Sequence, residues 1–167
     1  MPAEPMPRRT TLILLWTAIA LAAPALGACG GGSSSPSSAF EAKAGSVCRQ
    51  TLQQFERIQT TPPKTASQAE KQAAALVDVS EKALADLRDL TPPASIKSAY
   101  DRYLAAREQA ISYLKDGETA AANRDANAYA KAKRQAATQQ ATRLQLARKA
   151  GLNECSRPAV TLGSSGK

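Results

Sequence analysis

Two arginines fall where a helical chain ordinarily places apolar side chains. Arg107 occupies the seam position between Tyr103 and Ala110, and Arg143 falls on the inward side of the last helical segment, near Gln139 and Gln140. A guanidinium withdrawn from water needs a counter-charge or acceptors. Arg107 and Arg143 are therefore candidate ligand-binding residues. They would form a pocket for a small acidic ligand, closed by Tyr100 and Tyr103. The alternative is that both arginines reach past the seam to solvent or pair with Asp or Glu, and that the tyrosines are core.

A second set of charges is arranged as a stripe. Arg124, Lys131 and Lys149 project within about 20° of one another at 100° per residue, with Arg134 and Arg148 beside them. After Ala28 the chain holds 20 basic and 13 acidic residues. Residues 124–167 account for nine of the basic and two of the acidic ones, so the excess of seven lies there. The stripe could contact anionic lipid or a cell-wall polymer, at about 1 kcal/mol per basic residue near an anionic surface. Otherwise it is an ordinary solvated face. Nucleic acid is not expected, because no aromatic residue interleaves the stripe.

Much chemistry is missing. The chain has no histidine, which removes His-based acid–base catalysis, His metal ligation, di-iron Glu-x-x-His pairs and haem ligation by His. Both methionines, Met1 and Met6, are at the extreme N-terminus. There is no Gly-rich phosphate loop, no Gly-x-Ser-x-Gly and no zinc pattern. Carboxylates such as Glu81, Asp86 and Asp89 fall at solvent positions. The expectation is a protein that is not an enzyme and carries no cofactor or metal.

The elements that would hold these residues are helical. Alanine dominates, while Val and Ile are few. Ser38-Ala39-Phe40-Glu41 fits a capping box, followed by Ala44, Cys48, Thr51, Phe55 and Ile58 at alternating three-four spacing until Pro62-Pro63. Ser67-Gln68-Ala69-Glu70 is a second capping box. It opens a stripe of Ala69, Ala73, Leu76, Ser80, Ala83, Leu87 and Leu90, widened by Val77 and Leu84. Leu90-Thr91-Pro92-Pro93 ends that helix. A third starts near Pro93 and runs to about Ala122 through Ile96, Tyr100, Tyr103, Ala110 and Leu114. Asp125 caps a fourth from Ala126 to about Ala150, with Gly151 at its left-handed C-terminal position. Short connections make neighbours antiparallel, which gives an all-α, up-down-up-down four-helix bundle.

The N-terminal segment has a different character. Arg8-Arg9 precedes an uncharged, mostly apolar run from Thr11 to Ala23, and Pro24 and small residues lead to Leu26-Gly27-Ala28-Cys29. This is the charged, apolar and small-residue order of an export signal. The run is short for a spanning helix, which needs about 20 apolar residues. The last four residues resemble the lipobox of bacterial lipoproteins. That resemblance implies cleavage before Cys29, attachment of diacylglycerol to its thiol, and retention by acyl chains such as palmitate. An ordinary cleaved signal and an uncleaved membrane helix are the alternatives. Gly30–Ser38 contains no apolar residue and reads as a tether of roughly 15–18 Å end to end.

Of three cysteines, lipidation of Cys29 leaves Cys48 and Cys155, an even remainder that in an exported chain implies a disulfide. In the antiparallel bundle the start of the first helix lies beside the end of the fourth, so a bond there would close the domain. Two buried free thiols are the alternative.

The whole chain resembles small alanine-rich bacterial lipoproteins. The shared features are the lipobox Cys, the tether, an early Cys48, Leu90-Thr91-Pro92-Pro93 and Gly151-Leu152-Asn153-Glu154-Cys155. The resemblance implies no known activity. The expected organisation is a signal peptide over 1–28, lipidated Cys and tether over 29–38, a four-helix bundle over 39–157 and a disordered tail over 158–167. The expected function is a non-enzymatic binding or structural module tethered to the outer face of a membrane or elsewhere in the cell envelope. The alternative is a carrier or sensor of a small acidic ligand inside the bundle.

Overall fold

The computed structural model describes residues 35–158. The expected signal peptide, Cys29, most of the tether and most of the tail lie outside the described residues. Among the described residues there are four helices, α1 (Pro36–Ile58), α2 (Ala66–Arg88), α3 (Lys97–Ala122) and α4 (Ala126–Lys149), followed by one turn of 3-10 helix at Glu154–Ser156. There is no strand among the described residues, and none of these helices is long and apolar enough to cross a membrane.

Three helix starts differ from expectation by a few residues. The first cap is Ser35 rather than Ser38: its Oγ accepts from the Ser38 backbone N–H at 3.2 Å, and Pro36 opens the helix. A proline at the first position fixes a helical φ and lacks only an N–H that would be unpaired there anyway, so the helix begins inside the expected tether. In α2 the cap is Thr65 rather than Ser67. Its Oγ1 accepts from Gln68 N at 3.2 Å while the Gln68 amide oxygen accepts from Lys64 N at 2.8 Å. Thr65-x-x-Gln68 and Ser67-x-x-Glu70 are equivalent on paper, and the earlier one satisfies two more backbone donors. α3 starts at Lys97, past Pro93, because one separate turn intervenes, with Ile96 N bonded to Pro93 O at 3.1 Å.

The other ends follow the expected chemistry. Asp125 caps α4 by accepting from Ala128 N at 2.9 Å. At the far end Gly151 has φ +72, with Leu152 N bonded to Ala147 O at 2.9 Å and Gly151 N to Arg148 O at 3.0 Å. This pair of reversed bonds is a Schellman closure. The same closure ends α3, where Arg124 takes φ 56, Asp125 N bonds Ala120 O at 2.8 Å and Arg124 N bonds Ala121 O at 3.0 Å.

Consecutive helices pack, α1 on α2, α2 on α3, and α3 on α4, and the 3-10 turn packs on both α1 and α4. α1 and α4 themselves bring no pair of Cα atoms within 8 Å. They are joined at one end by the Cys48–Cys155 disulfide, with Cα atoms 5.0 Å apart across 107 residues of chain. Gly45 makes room for this junction, since a Cβ there would lie 3.2 Å from Glu154 Cγ. The most enclosed core gathers at the same end and includes Phe40, Ala44, Leu87, Tyr100, Tyr103, Ala147 and Leu152. Burying such side chains contributes about 25 cal/mol per Å² of apolar surface. At the other end the alanines of α4 bury little, and α1 and α4 stand apart.

Candidate functional site

The site is built from one turn of α3 and the inner face of α4. Tyr103 and Arg107 are four residues apart on α3 and therefore share a face. Arg107 is 6% exposed and donates from Nη1 to the Tyr103 phenol oxygen at 2.9 Å. Its guanidinium carbon lies 5.8 Å from the Tyr103 ring centroid. The phenol oxygen is 3.5 Å from Cys48 Sγ. That sulfur is in the disulfide and has no proton, so the phenol is the donor there and the bond is weak. Arg107 Nε has no hydrogen-bond partner among the described residues.

Arg143 approaches from α4, where Gln139 Nε2 ties this level to α3 by donating to Ala106 O at 3.3 Å. Arg143 as a residue is half-buried, but its Nε is enclosed and likewise without a partner. Burial, reinforced by the Arg107 charge and opposed by Tyr103, lowers its pKa to about 10. It therefore remains a cation at neutral pH. The ion pairs among the described residues, such as Arg88–Glu108 and Lys115–Glu81, involve neither arginine. Two adjacent inward cations without a carboxylate are costly, since buried charge is tolerated only when paired.

Arg143 lines a cavity of about 320 Å³ on the side where α1 and α4 stand apart. Phe55 of α1, Leu76 of α2 and Leu114 of α3 supply apolar wall. α4 supplies Tyr129, Lys133, Ala136, Gln140 and Arg143. Among the described residues that line it there is no Asp or Glu.

The expected ligand set is thus only partly brought together. Arg143 lines the cavity, whereas Tyr100, Tyr103 and Arg107 are not among its walls. Tyr100 is 1% exposed, packs edge-on against Phe40 with centroids 5.1 Å apart, and donates to Leu87 O at 2.6 Å. Burial raises its pKa far above the ordinary phenol value. It is core, and the cavity's tyrosines are Tyr113 and Tyr129. Residues 129, 133, 136, 140 and 143 repeat at four-three-four-three, a seam spacing in which two cations and a glutamine stand where a filled bundle carries leucine. That periodicity was the available signal for Lys133 and Gln140. Tyr113 carried none.

Lys131, Arg134, Arg148 and Lys149 are exposed on α4, a helix with six basic and no acidic residues. Arg124 is exposed too, but it stands in the left-handed turn before α4, so the angular alignment with Lys131 and Lys149 does not apply to it. None of the five is in an ion pair among the described residues. No three His, Cys, Asp or Glu residues converge to hold a metal among the described residues.

Fold and site together define an all-α, disulfide-linked chain with a cation-bearing interhelical cavity. No known family's sequence model matches it, and neither a curated protein nor a solved structure matches it significantly.

Proposed function

We propose that this chain is an exported lipoprotein, anchored through Cys29 at the outer face of a membrane, whose helical domain is a non-enzymatic module binding a small acidic ligand. The single observation that carries the binding reading is Arg143, a partly enclosed cation without a carboxylate partner, in the wall of a cavity between α1 and α4. The anchor rests on the lipobox-like Leu26-Gly27-Ala28-Cys29 and the signal-like segment before it. The bundle runs up-down-up-down with antiparallel neighbours. This arrangement is supported by Glu81 meeting Lys115 while the later Arg88 meets the earlier Glu108. It is also supported by the covalent closure of α1 onto the chain beyond α4.

Isolation of the native membrane-bound protein followed by mass spectrometry of its extracted small molecules tests both parts. The expected result is a diacylated Cys29 and a copurifying small acid. A Cys29→Ser chain that stays in the membrane fraction, beside a wild type without lipid, would remove the anchor. A native preparation without any acid would remove the ligand.

A second reading uses the outer face of α4. Its six basic residues without a carboxylate favour docking on anionic lipid or a cell-wall polymer. Binding to anionic vesicles should then weaken with salt and disappear in the triple reversal of Lys131, Arg134 and Lys149 to Glu.

A further inference from the structure

The cavity has a chemical polarity along α4. Its cations, Arg143 and Lys133, are ten residues apart, about 15 Å along the helix axis. A compact ligand cannot reach both. Lys133 is exposed, with Nζ 5.8 Å from the Tyr129 ring centroid, and water already serves its charge. Arg143 is half-buried in the cavity wall, and no carboxylate pairs with it among the described residues. A guanidinium can receive an oxyanion through two parallel N–H donors at once.

The wall between the two cations is mostly apolar and made by small residues, with Gln140 the polar side chain on α4 between them. Ala110 and Gly117 of α3 and Ala132 and Ala136 of α4 leave the space, and Phe55 and Leu114 face it. A Cβ at Gly117 would meet Ala132 Cβ at 3.6 Å, so these backbones run close beneath the cavity floor. Gln72, one of the polar side chains of the wall, is already committed to the carbonyls of Ile58 and Thr61 at 2.8 and 3.1 Å. A sugar or nucleotide carries more polar groups than this stretch offers partners, and each one left unmatched has a cost. About 320 Å³ is at the lower end of ligand cavities, which run from about 300 to 1,000 Å³. It suits one chain rather than two.

The geometry points to a single-chain amphiphile with one anionic oxygen head, seated with the head on Arg143 and the tail along Ala136 and Ala132 between Phe55 and Leu114. This rests on the cavity being the ligand site and adds the class of ligand. The shared chemistry is an oxyanion on an unbranched tail, and carboxylate and phosphate heads are separated by test.

Calorimetric titration of the full chain carrying Cys29→Ser, a form in which no detergent competes, provides that test. The probes are dodecanoate, dodecyl phosphate, dodecanol, dodecyltrimethylammonium and acetate. Dodecanoate or dodecyl phosphate should bind one to one, the tighter of the two identifying the head. Dodecanol, the cationic amphiphile and acetate should each bind at least about tenfold more weakly. Arg143→Gln should cut binding of the anionic amphiphile by about tenfold or more and leave dodecanol unchanged. Arg143→Lys, which keeps the charge but loses the two-pronged donor, should fall between. Ala136→Leu should reduce binding of every tailed probe. Equal binding of dodecanol and dodecanoate, unaffected at Arg143, would overturn the head assignment while leaving a ligand cavity. Failure of all tailed probes with a folded protein, alongside a polar acid copurifying with the native chain, would overturn the amphiphile and leave the acidic-ligand reading intact.

Discussion

Arg107 reaches back one turn of α3 and donates to the Tyr103 phenol oxygen at 2.9 Å, inside a region where Tyr103 is fully buried and Arg107 nearly so. This bond is the side-chain hydrogen bond that Arg107 makes among the described residues. Tyr103→Phe keeps the ring and deletes the acceptor. Hydrogen bonds to charged groups contribute about 1.5–3 kcal/mol, and that is the expected loss of unfolding free energy in guanidinium titration. The double variant with Arg107→Met should recover most of it, because both polar partners then go together. A loss under about 0.5 kcal/mol would mean that Arg107 finds water instead.

Arg143 is a stability liability in the ligand-free chain. Its folded pKa, about 10, is below that of an unburied arginine, so the folded state disfavours its proton. The penalty is complete below pH 10 and is relieved only as pH rises above 10 toward the ordinary arginine value. At neutral pH Arg143→Met should therefore raise stability by on the order of 1–3 kcal/mol, seen as a higher melting temperature. A lower melting temperature would show that Arg143 already has a compensating partner.

The Cys48–Cys155 bond should dominate the stability of the junction between α1 and the end of α4. It closes a loop of 107 residues, for which the chain-entropy relation gives about 4.7 kcal/mol. Reduction should lower the melting temperature sharply. Because α1 and α4 have no close backbone approach of their own, hydrogen exchange should speed up first around Ala44–Cys48 and Ala147–Cys155. Non-reducing mass spectrometry checks the bond itself.

Two residues with positive φ give opposite predictions. Arg124 pays the side-chain penalty of the left-handed region at φ 56 and is exposed, so Arg124→Gly should stabilise by about 0.5–1 kcal/mol. Gly151 occupies the equivalent position of α4 at φ +72, and Gly151→Ala should destabilise by about 1 kcal/mol. Thermal denaturation of both variants is sufficient. Equal effects of the same sign would contradict the assignment of these turns.

Alkaline unfolding should report on Tyr100. Its phenol is held protonated by burial and by the Tyr103 neighbour, against a smaller opposing effect of Arg107, so its pKa is higher folded than unfolded. The unfolded chain then loses the proton first. The stability contribution is intact below about pH 10 and declines as pH rises above it. Absorbance at the tyrosinate band should show Tyr100 ionising together with the loss of helical circular dichroism. Ionisation near pH 10 in a still-folded protein would contradict its burial.

Local periodicity made most of the fold legible. The three-four stripe of α2 is the buried face of that helix from Ala69 to Leu87. Asp125 and Gly151 bound α4 as their side-chain chemistry requires, and the remaining pair of cysteines is bonded. Helix starts were less determinate. Thr65 and Ser67 each have an acceptor residue three positions later, and a one-turn motif cannot rank them. Pro36 shifted α1 three residues earlier for a reason equally local, the preset φ of its ring.

What the sequence by itself determined is therefore what acts over a few residues: helix type, caps, stops, the inward direction of Arg107 and Arg143, and the parity of the cysteines. Only the tertiary structure decided which of these residues meet. Tyr100 and Tyr103 went into the core at the disulfide end because large rings bury most area where α1, α2 and α3 converge. The cavity formed at the other end, where the small residues of α3 and α4 left volume and α1 did not close on α4. Whether a gap between two helices is filled depends on side-chain volumes summed across all four of them. No window along a single chain segment contains that sum.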